Sequence, residues 1–203
     1  MALANYSDLV SALSEWLNRD DKEALYPTFI ALFEARANRA LRVPQMEESA
    51  TSPTSEAELS LPDDFLSLRD IRVDGDAVYG MAPQALRDRF QDREAGTPEA
   101  YAILGTTIQL APAPSASVEV AIDYYQTIPA LTSTNTVNWL LTAYPDAYLY
   151  GVLAVAYDYL RDDNQAGSML ALSDRLLGEI GIDAARRRLP AGPLVARGTV
   201  LDG

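Results

Sequence analysis

The hydrophobic period of this chain changes twice. It is helical over roughly the first forty residues, alternating through the middle, and helical again from about residue 144. A helical period buries one stripe of a cylinder and an alternating period buries one face of a sheet, so the two kinds of segment belong to different layers. The pattern therefore predicts an α+β fold: a helical bundle of about four helices built from both ends of the chain, with a small antiparallel β-sheet lobe inserted between them and an extended C-terminal arm.

At the N-terminal end, Ser7 or Asp8 can cap a short helix through Leu17, in which Leu9, Val10, Leu13 and Leu17 recur at helical spacing. Asn18 to Asp21 breaks it. A second helix follows from Pro27 to Leu41, with proline suited to its first turn and Phe29, Ile30, Phe33, Ala37, Ala40 and Leu41 on one apolar face. Arg36, Arg39 and Arg42 lie toward its C-terminal end, where cations complement the helix dipole. Val43-Pro44 closes this first segment, 1–44.

Residues 45–58 are acidic and rich in Ser, Thr and Pro, which predicts a flexible acidic surface loop. The β-rich lobe is expected over 59–141, with β-favouring segments at 66–73, 101–110 and 118–125 separated by Gly, Pro and Asp. Asp74-Gly75 is a hairpin signal. Between the strands, Pro83 to Asp92 has Ala85, Leu86 and Phe90 at helical spacing. The C-terminal helices are expected over 142–188. Tyr144-Pro145 marks a helix start, and the helix to about Asp162 is apolar nearly all round, which predicts a central buried helix completed by neighbouring subunits. Asp162, Asp163 or Asn164 can cap a last helix that ends near Arg188. Residues 189–203 contain two Pro and three Gly and one acidic side chain, too little apolar content for a core, and read as the extended arm.

Composition narrows the function. There is no Cys and no His among the 203 residues, which removes disulfides, thiolate zinc sites, cysteine nucleophiles and every histidine-based triad. Catalysis would have to rest on carboxylates, Lys22, tyrosines or arginines, so a structural, partner-binding protein is expected rather than an enzyme, with no cofactor. The formal charge of -13 opposes non-specific binding to nucleic acid phosphates. The first residues have neither a basic region nor a long apolar stretch, and the run around Leu149 to Ala156 is far too short to span a bilayer; synthesis in the cytoplasm and no membrane association are expected.

Three acidic pairs, Asp20-Asp21, Asp63-Asp64 and Asp162-Asp163, have the chemistry of general acids or magnesium and calcium ligands, and would serve a carboxylate-based metal-dependent enzyme. Each flanks a predicted element, where aspartate caps helices and makes turns. Asp74-Gly75-Asp76 lacks the spaced ligands and closing glutamate of a calcium loop. The scattered glycines form no phosphate-cradling motif. The tyrosines at 144, 148, 150, 157 and 159 sit at helical spacing, which favours core or subunit-interface packing. Arg186-Arg187-Arg188 and Arg197 make the C-terminal end basic on an acidic protein. Helix-dipole compensation, docking into an acidic partner and contact with DNA all remain open for them.

An ordered set of short strings runs through most of the chain: Tyr6-Ser7-Asp8-Leu9 and Asn18-Arg19; Pro27 to Ile30, Glu34, Arg39 to Arg42; Leu61-Pro62-Asp63-Asp64-Phe65; Thr97-Pro98 with Tyr101; Leu110 with Pro112; Tyr124-Tyr125; Ile128-Pro129-Ala130-Leu131; Asn138-Trp139-Leu140-Leu141; and Tyr144-Pro145-Asp146-Ala147-Tyr148-Leu149-Tyr150-Gly151. In this order they resemble the head-to-tail adaptor (connector) proteins of tailed bacteriophages. The resemblance implies a virion neck component that forms a twelve-fold homo-oligomeric ring under the portal protein. The ring would help seal the DNA exit channel, let genomic DNA pass without specific binding, and offer its far face to tail or nozzle proteins. It implies a helical bundle toward the portal, a β-rich lobe toward the tail, no catalytic residues, and an arm inserted between portal subunits. That arm corresponds here to Arg186, Arg187, Arg188, Leu189, Pro190, Leu194, Val195, Arg197, Val200 and Leu201. Another neck or tail-completion protein of the virion would share much of this pattern.

Overall fold

A computed structural model describes residues 3–187 and divides the chain into two compact units, one helical, formed by the segments up to Pro44 and from Ile128 onward, and one β-rich, Gln45–Thr127. The lobe thus begins and ends earlier than the expected 59–141. Residues 128–141, read from sequence as part of the lobe, belong with the helices.

The helical unit contains α1 (Tyr6–Leu17) and α2 (Tyr26–Ala40), joined by a 3-10 turn over Asp20–Leu25. Asn5, rather than Ser7 or Asp8, caps α1, its side chain accepting from the Asp8 N–H at 3.0 Å. Asn18 ends α1 in the left-handed region at φ 48°, as the break at 18–21 suggests. Leu9, Ala12, Leu13 and Leu17 of α1 are buried, as are Tyr26, Phe29, Ile30, Phe33, Glu34 and Ala37 of α2.

The β unit is two four-stranded sheets rather than one. Its strands are β1 (Glu47–Thr54), β2 (Glu58–Ser60), β3 (Phe65–Val73), β4 (Asp76–Ala77), β5 (Tyr79–Gly80), β6 (Ala100–Leu104), β7 (Thr107–Ala111) and β8 (Val118–Gln126), with helix α3 (Pro83–Phe90) between β5 and β6. One sheet has the order β1-β8-β3-β4 and the other β2-β7-β6-β5, antiparallel except for the short β5–β6 pair. The segment 101–110 folds back on itself at Gly105, whose φ is +61°, giving the β6–β7 hairpin. Asp74 and Gly75, both at positive φ, make the expected β3–β4 turn. Ile71, Val73, Val118, Val120 and Ile122 from one sheet meet Ile108 and Leu110 from the other in a single apolar cluster.

The expected flexible loop at 45–58 is a correction. Residues 47–54 form β1, paired along their whole length with β8. Low apolar content misleads here because an edge strand needs to bury only one face. Ala50, Ser52 and Thr54 turn half-buried toward the sheet while Thr51 and Pro53 face outward, and β8 supplies the apolar surface. Ser49 donates to Asp123 across the pair at 2.5 Å. Proline and the two leading glutamates are edge-strand residues, since neither invites a further strand to pair.

The chain returns to the helical unit through α4 (Trp139–Ala143), α5 (Pro145–Tyr159) and α6 (Asp163–Arg187). With α1 and α2 this makes five α-helices among the unit's described residues, where about four were expected; the additional one is the single turn α4, capped by Asn138 accepting from the Leu141 N–H at 2.9 Å. Asp162 caps α6 through the Gln165 N–H at 3.1 Å, as anticipated. α5 is the buried central helix: Ala147, Tyr148, Leu149, Gly151, Val152, Leu153, Ala154 and Ala156 are all buried by the unit's own helices. Gly151 is required by the approach of α2, because a Cβ there would stand 2.1 Å from ring carbons of Phe33. Arg188 to Gly203, and with them the expected arm, lie outside the described residues.

Candidate partner-binding surfaces

Of the residues assigned from sequence to the arm, Arg186 and Arg187 form the exposed last turn of α6. Arg187 pairs with Asp183 one turn back at 2.7 Å. The other eight, Arg188, Leu189, Pro190, Leu194, Val195, Arg197, Val200 and Leu201, lie outside the described residues. Cations at this end complement the α6 dipole, an effect of ~0.3–1 kcal/mol each.

Members of the acidic pairs are engaged locally. Asp21 is held by Arg19 at 2.8 Å and Lys22 at 3.1 Å, and these two cations lower its pKa to about 2. Asp64 accepts from the Tyr124 hydroxyl at 3.0 Å; burial, with that carboxylate beside it, raises the phenol to about 12. Asp162 is occupied as a cap. Among the described residues no group of three or more Asp or Glu is arranged to hold a metal ion.

Among the described residues of the helical unit there is a buried polar network. Glu34 of α2 accepts from the Tyr148 hydroxyl of α5 and from the Leu131 N–H at 2.8 Å. Asn138 donates to the same tyrosine oxygen at 3.1 Å and to the Pro129 carbonyl at 2.9 Å while capping α4. One turn along α2, Asn38 accepts from the Ile128 N–H at 2.8 Å. Two side chains at i and i+4 on α2 therefore hold the backbone of the segment that re-enters the helical unit. Burial raises the Glu34 pKa, partly opposed by its hydrogen bonds to Tyr148 and Leu131, and burial beside the Glu34 carboxylate raises that of Tyr148. Sequence reasoning missed this network, although Glu34 falls at helical spacing among Ile30, Phe33 and Ala37. The arrangement orients backbone and helices, and its groups are turned inward.

Outward-facing surfaces are of another kind. In the helical unit, a groove of about 540 Å³ runs between α2, α5 and α6, with Gly151, Ala154, Ala166 and Gly167 among its lining and Leu32 and Leu170 exposed at its rim. Trp16 of α1 is half exposed, edge-on to Tyr150 with ring centroids 6.1 Å apart. In the lobe, a groove of about 490 Å³ lies between α3 and β7, with an apolar floor that includes Leu86, Phe90, Leu110 and Ala111 and with Arg87 and Arg93 on its rim. Tyr79 projects from β5, 76% exposed. Apolar grooves and exposed aromatics are features that protein–protein contact surfaces use. No helix among the described residues is long and apolar enough to cross a membrane.

Comparison with known proteins agrees. No curated protein matches the chain. A family model does, that of the SU10 adaptor protein, over residues 4–197, which takes in both units. With helices that flank a two-sheet lobe in sequence and with surfaces suited to contact, the chain belongs to the SU10 adaptor protein family, a family of phage head-to-tail adaptors.

Proposed function

We propose that the protein is a structural subunit of the neck of a tailed phage virion, assembling as a twelve-fold ring that docks under the portal protein, helps to seal the DNA exit channel and carries the attachment surface for tail proteins. The observation that carries this reading is family membership across nearly the whole chain, helical unit and lobe alike. In the same reading the helical unit and the arm from Arg186 to Gly203 face the portal, and the lobe faces the tail. The subunit needs no cofactor and acts by shape and contact. An overall charge of -13 suits a channel through which DNA slides without sticking. The ring is made by heterologous contacts, in which one face of a subunit meets a different face of the next.

The test is deletion of Leu189 to Gly203, followed by sedimentation with purified portal rings. The truncated chain is expected to keep its helical circular dichroism and lose portal binding. Unchanged affinity for the portal would rule out the arm as the contact.

A further inference from the structure

The groove between α2, α5 and α6 brings apolar, polar and charged groups without partners to one place. Small residues open it, Gly151 and Ala154 on α5 and Ala166 and Gly167 on α6, and Leu32 and Leu170 stand exposed at its rim. Ser173, the lining residue nearest the C-terminus of α6, is fully buried, and its hydroxyl has no hydrogen-bond partner among the described residues. Buried hydroxyls are ordinarily paired, so an unpaired one in the lining of a groove marks a place where an acceptor fits.

The charges fix the sign of the occupant. Arg36, the one cation in the described lining, is already held by Asp174, at 2.6 and 2.8 Å. Asp158 and Asp163 also line the groove, and neither makes an ion pair among the described residues; Arg161, between them in sequence, pairs with neither. Asp163 opens α6, where the helix dipole accommodates a carboxylate. Asp158 lies in the last turn of α5, which has no basic residue, and there the dipole opposes it. The uncompensated charge of the lining is therefore negative.

Residues 188–203 match the groove by composition and by reach. They follow Arg187 at the end of α6, the helix that forms one wall of the groove, and lie outside the described residues. Arg188 and Arg197 outnumber Asp202, and Arg197 stands between Leu194-Val195 and Val200-Leu201. Two Pro and three Gly disfavour a helix, which leaves backbone carbonyls free to accept from the Ser173 hydroxyl. A helix of a second copy would have its carbonyls already used. From Arg187 back to Gly167 is about 30 Å of helix; the chain from Arg187 to Arg197 spans about 33 Å when extended, and the arginine side chain adds its own length.

We propose that residues 188–203 fold back along α6 and occupy this groove on their own subunit. Leu194 and Val195 are seated against Leu32 and Leu170, Arg197 lies beside Asp158 and Asp163, and a backbone carbonyl meets Ser173. The proposal concerns the free subunit and goes beyond the portal reading, which it does not need.

Double electron–electron resonance on the full chain tests this. The chain has no cysteine, so Asn164→Cys, exposed at the start of α6, and Thr199→Cys carry the two spin labels without further substitution. A docked segment gives a narrow peak below about 25 Å, and an undocked one a broad distribution centred beyond about 35 Å, the length of helix from Asn164 to Arg187. The narrow peak is expected, and it should persist when the labelled protein is diluted into an excess of unlabelled protein. Gly167→Phe should remove it, since a Cβ there meets no atom within 4 Å and a larger side chain has open space to fill, in a helix that glycine weakens. Asp158→Lys, exposed at the rim, should lower the docked fraction by about twofold or more. Thermal unfolding checks that each variant folds. A broad distribution with the groove unmodified, or a narrow peak that either variant leaves unchanged, overturns the proposal. So does a peak lost on dilution, which puts the segment in the groove of a second copy. No portal is present in these measurements, so failure here is separate from failure of the portal test.

Discussion

A single buried carboxylate organises much of the helical unit. Glu34 accepts from Tyr148 and Leu131, and its pKa is raised by burial. In the pH range between the unfolded and folded values, the native state holds a proton that the unfolded state has released, so stability falls as pH rises through that range and is flat above it. Glu34→Gln keeps an oxygen to accept both hydrogen bonds and removes the buried charge. Its urea midpoint is expected to lose this pH dependence, with the variant at least as stable as the unmodified protein near pH 7 and the difference shrinking toward pH 4. Glu34→Ala strands the Tyr148 hydroxyl and the Leu131 N–H, at about 1–3 kcal/mol for each group left unpaired. Gly151 constrains the same interface by shape. Gly151→Ala places a methyl group 2.1 Å from the Phe33 ring, and the forced separation of α2 and α5 should cost about 1–3 kcal/mol or more in denaturant unfolding. Neither role can be read from residue type: a glutamate in a helix is ordinarily solvated, and a helical glycine ordinarily weakens its helix.

Among the elements, α2, α5 and α6 are legible because each carries enough helical repeats for the period to stand out, and a proline or aspartate marks the start of each. β1 is not, because its sequence resembles that of a solvated loop. What makes it a strand is β8 alongside it, a partner some seventy residues away. Ala50 is the residue that turns toward the cluster shared by the two sheets. Ala50→Asp is expected to lower stability by about 1–3 kcal/mol, whereas Ser55→Asp, exposed just beyond the strand, should change it by less than about 0.5 kcal/mol. Chemical denaturation of the two variants separates a folded strand from a loop, since a loop would tolerate both. α4 depends on one side chain. Asn138→Ala removes its cap together with the bonds to Tyr148 and the Pro129 carbonyl, at about 1–2 kcal/mol for the cap alone, and the loss should appear as faster amide exchange at Leu141 and Leu131.

At the scale of the whole molecule, the chain joins a helical unit to an inserted lobe, and most of its net negative charge lies in the lobe, residues 45–127, with -10 of the total -13. Labelled duplex DNA is expected to show no binding at about 150 mM salt, because 29 acidic side chains against 16 basic ones leave too few phosphate contacts to release counterions; saturable binding that weakens steeply with salt would instead point to the arginines near the C-terminus. Sequence by itself determined the class of fold, the central and largely buried place of α5 and the absence of the residues that most catalytic sites use. These depend on local spacing and on composition, which need no partner to be read. Only the tertiary structure decided that 45–58 is mostly strand, that the lobe is two sheets closing on one core, that Glu34 lies inside, and that α3 and β7 leave a groove between them. Each of these turns on which distant residues become neighbours, and hydrogen bonds, buried charge and groove shape are properties of those neighbours rather than of the residues taken singly.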